Sequence, residues 1–220
     1  MRRLIFATNN KHKVEEARAA LAGVVEIVTL TEAGLSGEIP ETADTLQGNA
    51  LQKAQWVWER IKDNNTIVDG CFADDTGLEV EALGGAPGVY SARYAAMSGE
   101  RDLCGASVAH SCSFDDNIDK LLGALEGQTN RRACFRTVIC LMEQGATTGH
   151  TLPDTRFFEG RVDGQILTKR YSNGEGFGYD PVFMPDRFAL SFAEMPLDVK
   201  NLISHRGLAL KQLTEYLKKQ

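Results

Sequence analysis

Several things are scarce in this 220-residue sequence, and each absence excludes a class of protein. Its five cysteines (Cys71, Cys104, Cys112, Cys134 and Cys140) are odd in number and show no C-x-x-C spacing, which argues against a zinc ribbon or a disulfide scaffold and fits reduced thiols. Cys104, His110 and Cys112 are close in sequence and read either as a small metal group or as plain loop residues. Long apolar runs are missing: no window approaches 18 uncharged apolar residues, so no membrane span is expected. The run Leu4 to Ala7 behind Met1-Arg2-Arg3 is too short for the core of a signal peptide, and a cytoplasmic protein is expected. Positive charge is not in excess: Lys plus Arg is 24 against Asp plus Glu 30, a formal net of -6. That balance speaks against nucleic acid as a partner, since duplex binding relies on phosphate neutralisation, but it leaves room for a small anion in a local basic pocket. No G-x-x-x-x-G-K-[ST] loop, G-x-S-x-G elbow, internal repeat or low-complexity stretch is present.

What remains is ordinary globular material, 43% hydrophobic and 25% charged, which excludes disorder as the main state. For a chain of this mass, surface scaling lets roughly 70% of the unfolded area be buried, so a core forms without staples. The pattern alternates between strands and helices. Leu4 to Thr8 reads as a buried strand, Lys11 to Leu21 as a helix with Val14, Ala17 and Leu21 on one side, and Val24 to Leu30 as a strand. Thr31 to Asp44 reads as a long acidic loop. Leu46, Ala50, Ala54, Val57, Trp58 and Ile61 step by three and four, an amphipathic helix. Thr66 to Ala73 is strand-like, Leu78 to Leu83 alternates as a second strand, and Gly84 to Gly88 is a sharp loop. Ala95 to Ser113 lacks any period. A helix over Asn117 to Leu125, a strand over Arg132 to Met142, a hairpin-like pair around Phe157 to Leu167, a glycine-rich loop over Gly174 to Pro181 and a helical end from Val199 to Leu217 complete an α/β chain.

Four constellations carry chemistry. Thr8-Asn9-Asn10-Lys11-His12-Lys13 sits at a strand-to-helix turn, where free backbone N–H groups and a lysine favour a phosphate; the alternative is a plain Asn-capped helix with solvated lysines. Asp74-Asp75-Thr76-Gly77 sets two carboxylates side by side at a strand end, either around Mg²⁺ or as a β-turn capping its own backbone. Glu41 lies in the acidic loop, solvent-exposed unless that loop folds over the site. Gly174 to Pro181 places Phe177 among glycines, so it either stacks on a flat base or shapes a turn. Lys200 with Ser204-His205-Arg206 reads as a basic cluster for a phosphate or a base carbonyl, a Ser-His hydrolase being disfavoured without its elbow.

Together these residues resemble the inosine/xanthosine triphosphate pyrophosphatase family. The matching stretches are TNNKHK (Thr8 to Lys13), ET (Glu41-Thr42) with NALQKA (Asn49 to Ala54), ADDTGLEV (Ala73 to Val80), LGGAPGVYSARY (Leu83 to Tyr94), FRT (Phe135 to Thr137), GFGYDPVF (Gly176 to Phe183) and K-N-x-I-S-H-R-G (Lys200 to Gly207), in the family's order. The resemblance implies a two-lobed fold around a long mixed β-sheet flanked by helices with the active-site cleft between the lobes, 1–220 as a single nucleoside-triphosphate pyrophosphatase domain, and a homodimer. It implies hydrolysis of XTP, ITP and dITP to monophosphate and pyrophosphate with Mg²⁺. By position, Thr8, Asn10 and Lys13 would grip the triphosphate, with Asn9, Lys11 and His12 in the same turn and Lys53 near the phosphates. Glu41, Asp74 and Asp75 would be the metal carboxylates, with Asp75 the proton acceptor and Thr76 a substrate contact. Phe177, Gly178, Tyr179, Asp180, Lys200, His205 and Arg206 would enclose and read the base. Ala96 to Asp116 looks longer than usual for the family, and Gln144 to Phe157 is irregular. Rival readings are a related house-cleaning pyrophosphatase for modified or pyrimidine nucleotides, and a non-catalytic nucleotide-binding module, against which the crowded Asp74-Asp75 pair speaks.

Overall fold

The computed structural model describes residues 1–62, 68–97, 112–144, 153–171 and 177–220. Leu4, Ile5 and Phe6 are all fully buried because their strand, β1 (Arg2–Phe6), runs parallel between two neighbours, β2 (Val25–Thr29) and β3 (Gly70–Val80), with Leu4 opposite both Ile27 and Gly70. Among the described residues the sheet has seven strands, in the order β2-β1-β3-β5-β6-β7, with β4 (Pro87–Gly88) paired antiparallel to β3. Its further strands are β5 (Arg132–Glu143), β6 (Asp154–Ile166) and β7 (Phe183–Pro185), the last antiparallel to β6. This is the mixed, helix-flanked sheet that the sequence implies.

By its contacts the chain falls into two compact units: residues 1–75, 137–160 and 204–220, and residues 76–136 and 161–203. In the first, α1 (Lys11–Ala20) and the last helix, α5 (His205–Leu217), cover one sheet face, where Val14, Ala17, Leu21, Leu210 and Leu213 pack on Leu4, Phe6, Phe72 and Ile139. Alternation turns Ile5 and Cys71 the other way. There α2 (Leu46–Ile61) buries Leu46, Ala50, Ala54, Val57 and Ile61, and the Cys71 thiol meets the Ala54 carbonyl at 3.3 Å. In the second unit, α3 (Phe114–Ala124) sets Ile118 and Leu121 among Leu78, Val80, Phe135, Phe183 and Phe192.

Three expectations are corrected. The two strands expected on either side of Asp74 to Gly77 are one strand, β3, and Glu81–Leu83 is a short 3₁₀ turn. Turn-forming residues stay extended here because buried cations compensate the two aspartates. The hairpin expected around residues 157–167 is a single strand, β6: Gly160 and Gly164 are points of close approach, where a Cβ would lie 1.9 Å from the His205 carbonyl and 2.3 Å from that of Met184. The helical end is two helices, α4 (Leu197–Ile203) and α5, divided at Ser204, whose hydroxyl caps α5 by accepting from the Gly207 N–H at 3.0 Å. Cys104, His110, Thr66 and Gly174 to Gly176 lie outside the described residues; Cys71, Cys112, Cys134 and Cys140 are free thiols.

Candidate active site

Asp74 and Asp75 are neighbours in a strand, so they project from opposite faces of the sheet and meet different helices. Asp74, 1% exposed, receives Lys13 Nζ of α1 on Oδ1 at 2.9 Å and Arg206 Nε of α5 on Oδ2 at 3.2 Å. Arg206 is itself buried and donates through Nη1 to Glu16 at 2.7 Å. Burial alone would raise the Asp74 pKa, but Lys13, Arg206 and Lys53 outweigh it and hold the carboxyl well below its usual range. Desolvation likewise lowers the Lys13 pKa from its ordinary value, despite Asp74.

On the other face Asp75 meets α2. Lys53 Nζ lies 2.9 Å from Asp75 Oδ1, and Asn49 Nδ2 donates to Asp75 Oδ2 at 3.2 Å. The same Lys53 ammonium lies 2.8 Å from Glu41 Oε1, so the acidic loop does fold back onto the site while the Glu41 side chain stays 42% exposed. Burial raises the Asp75 pKa even against Lys53. For Lys53 the balance goes the other way: Asp75 and Glu41 overcome desolvation and raise its pKa. Each ammonium is thus fixed by the carboxylate that the strand presents to it.

The three carboxylates read from the sequence as one metal set are therefore not gathered. Asp74 faces α1 and α5, away from Glu41 and Asp75, and no three His, Cys, Asp or Glu among the described residues group so as to hold an ion by themselves. Glu41 and Asp75 do converge on one cationic position, the Lys53 ammonium. Two carboxylate oxygens about one cation suit Mg²⁺, which commonly takes one or two carboxylates and completes its shell with water and substrate phosphates.

The Thr8 to Lys13 turn is also the capped helix of the alternative reading. Asn10 Oδ1 accepts from the Lys13 N–H at 3.3 Å, and Thr8 Oγ1 from the Asn10 N–H at 3.2 Å. Of its basic residues only Lys13 turns inward; Lys11 and Asn9 are exposed, and the His12 ring faces solvent beside Glu15. His205 opens α5 in a buried position.

In the second unit, Asp180 is buried and staples its own loop, accepting from the Phe177 N–H at 2.9 Å and from Lys200 Nζ. Tyr179, expected beside the base, is a core residue: it is 4% exposed, donates its hydroxyl to the Ser91 carbonyl at 3.0 Å, and has its pKa raised by burial. Phe177 packs edge-to-face on Phe114, with ring centres 4.8 Å apart; Gly178 beside it takes φ 60°, and Thr76 is half-buried on β3.

Sequence reasoning assigned no role to Glu16, Asn49 or Phe114. The first two left a signal: Glu16 is three residues from Lys13 on one helix face, and Asn49 is a polar side chain among the apolar positions of α2.

A family model described as the Ham1 family matches residues 4–216. The chain is 51% identical over 218 residues to the dITP/XTP pyrophosphatase of Porphyromonas gingivalis, covering 99% of this chain and 98% of that protein. It is 44% identical over 215 residues to the dITP/XTP pyrophosphatase of Flavobacterium johnsoniae, covering 98% and 97%. Among solved structures it is similar to a HAM1 protein from Coxiella burnetii, with TM-score 0.79, 32% identity and full coverage of both chains. It is also similar to the Staphylococcus aureus Ham1 protein, with TM-score 0.78, 32% identity and 99% of each chain covered. With the fold, the full-length match and the family's motifs all present, the chain belongs to the Ham1 family.

Proposed function

We propose that the chain hydrolyses the deaminated purine nucleoside triphosphates XTP, ITP and dITP to the monophosphate and pyrophosphate, with Mg²⁺ as cofactor. Membership of the Ham1 family and the relatives named dITP/XTP pyrophosphatase support the reaction. The observation that carries the reading is the charge network through β3: Lys13, Lys53 and Arg206 held among Glu16, Glu41, Asp74 and Asp75. Four carboxylates outnumber three cations, so the network on its own does not attract a polyanion. A triphosphate needs a further cation, and Glu41 with Asp75 would hold it by sharing oxygens that now face the Lys53 ammonium. Bound there, Mg²⁺ supplies phosphate charge neutralisation and a more acidic water.

The chain's own groups take complementary roles. Thr8 and Asn10 shape the α1 N-terminus, whose dipole favours a phosphate, and Lys13 adds its ammonium beside it. Lys53 steadies Asp75 and Glu41 and lies within reach of the same phosphates. Asp75, its pKa raised by burial, accepts the proton of the attacking water. Asp74 fixes Lys13 and Arg206 rather than a metal. Thr76 contacts substrate; Phe177 offers a ring to the base, and Asp180 positions Lys200 beside it. The whole chain, 1–220, acts as one catalytic domain, cytoplasmic and homodimeric, with no nucleic-acid partner.

A substrate panel tests this. With Mg²⁺, ITP, XTP and dITP should be turned over with kcat/KM about 10⁴-fold above ATP, the scale at which a mismatched buried hydrogen bond discriminates, and excess EDTA should abolish turnover. Equal kcat/KM for ITP and ATP, or full activity in EDTA, contradicts the proposal.

A further inference from the structure

We propose that Asn49 is the positioning residue that couples Asp75 to the Glu41 loop, with Gln52 beside it fixing that loop. This rests on the roles just given to Glu41 and Asp75. Residues 49, 52, 53 and 56 recur at the spacing of one helix face, and on α2 that face receives the acidic loop. Asn49 Oδ1 accepts from the Ala43 N–H at 2.9 Å while Nδ2 donates to Asp75 Oδ2 at 3.2 Å. Gln52 grips the residue after Glu41 twice: Oε1 accepts from the Thr42 N–H at 3.0 Å, and Nε2 donates to Thr42 Oγ1 at 3.0 Å. Four residues before Glu41, Gly37 at φ +126° lies against Trp56, where a Cβ would be 3.2 Å from the ring. After it, Ala43 is so close to Gly48 that a Cβ there would be 2.6 Å from its methyl. The loop is thus pinned on both sides of Glu41, while the Glu41 side chain itself stays accessible.

The chemistry at position 49 is specific to a carboxamide. One side must accept from a backbone N–H and the other must donate to a carboxylate, which also fixes which way the amide points. The group is 1% exposed, so water does not replace either bond. Asn49 therefore sets where Asp75 Oδ2 points and, through the same amide, how far the Glu41 loop stands from it. Lys53 alone would hold the two carboxylates by charge, without fixing their geometry.

The test begins with wild-type enzyme, ITP and Mg²⁺; absence of IMP and pyrophosphate there defeats the proposed function, not this inference. Asn49→Asp keeps the acceptor for Ala43 and loses the donor to Asp75. It should lower kcat at saturating Mg²⁺ by about 10- to 100-fold, the scale for loss of a group that orients a metal ligand, with KM changed less than about threefold. Gln52→Ala should raise the Mg²⁺ concentration for half-maximal rate by about tenfold, and Gln52→Glu, which keeps the acceptor, should restore it to within about twofold. Calorimetric binding of α,β-imido-ITP should show the same Mg²⁺-dependent weakening for Gln52→Ala without turnover. Asn49→Asp with kcat within about twofold of wild type overturns the proposal. So does a Gln52→Ala variant that melts lower but keeps the wild-type Mg²⁺ response; since Gln52 is only half-buried, that arm stands even if the position-49 variant fails to fold.

Discussion

A single carboxylate decides how two of the three cations of this site are held. Asp74 is the common acceptor for Lys13 and Arg206, which come from the two helices that frame the chain, and all three are largely removed from water. Removing one member of a buried ion network leaves the others uncompensated, at a cost of about 3–5 kcal/mol. Asp74→Asn should lower the urea midpoint accordingly, and added Mg²⁺ should not restore activity, as it would for a lost metal ligand; rescue by Mg²⁺ would return Asp74 to the metal. The buried thiols give a second residue-scale outcome. Burial pushes the Cys140 pKa up to about 12 and that of Cys134 up to about 11, so the folded state keeps protons that the unfolded chain releases near pH 9. The stability this confers is complete below pH 9 and lost as pH rises above it, about 1 kcal/mol per thiol by pH 10. Urea unfolding at pH 8 and 10 should show that fall, and Cys140→Ala should reduce it; an identical slope in the variant contradicts the assignment. The Asp-Asp pair also marks where sequence stopped short. Adjacency in sequence suggested one shared metal, whereas strand periodicity sends the two side chains to opposite faces. The alternation Phe72-Asp74 and Cys71-Ala73-Asp75 was legible, but which helix would lie on each face was not.

Elements were easiest to read where apolar spacing was strong and hardest where one residue type serves two purposes. α1 and α2 announced themselves through apolar spacing and, for α1, an Asn cap, and the structure closes them within a residue of the expected ends, with Thr45 capping α2. β6 was misread because glycine is both the commonest turn residue and the only one that lets two backbones touch. Nothing near Gly160 in sequence reveals that the first turn of α5 will lie against it. The distinction has a measurable consequence. If Gly160 were a turn or a neutral strand position, alanine would be tolerated or gain about 0.4–1 kcal/mol by reducing unfolded-state freedom. A Cβ placed 1.9 Å from the His205 carbonyl instead forces α5 to shift, and overpacking of this kind costs about 2–3 kcal/mol. Gly160→Ala should therefore melt about 5–10 °C lower and lose activity as well, since His205 and Arg206 move with the helix. A melting temperature at or above wild type would show that the backbone relaxes freely there.

At the scale of the whole molecule, the formal charge is -6, and no helix among the described residues is long and apolar enough to cross a membrane. The motifs supplied the family, and the tertiary network supplied what motifs cannot, namely which charges meet. β3, β5 and β6 each contribute residues to both compact units. Both tryptophans, Trp56 and Trp58, belong to the first unit, whereas far-UV circular dichroism reports both. If the chain is one folding domain, the two signals should superimpose through urea unfolding; separated midpoints would mean that the units melt independently. The reaction proposed for this network is attack of water at the bond between the α- and β-phosphates of a deaminated purine triphosphate. Phosphorus NMR of purified protein incubated with ITP and Mg²⁺ tests it most directly. Pyrophosphate and IMP should form from the first turnovers onward, with no IDP; orthophosphate and IDP would place the cleavage at the wrong bond and overturn the proposed reaction.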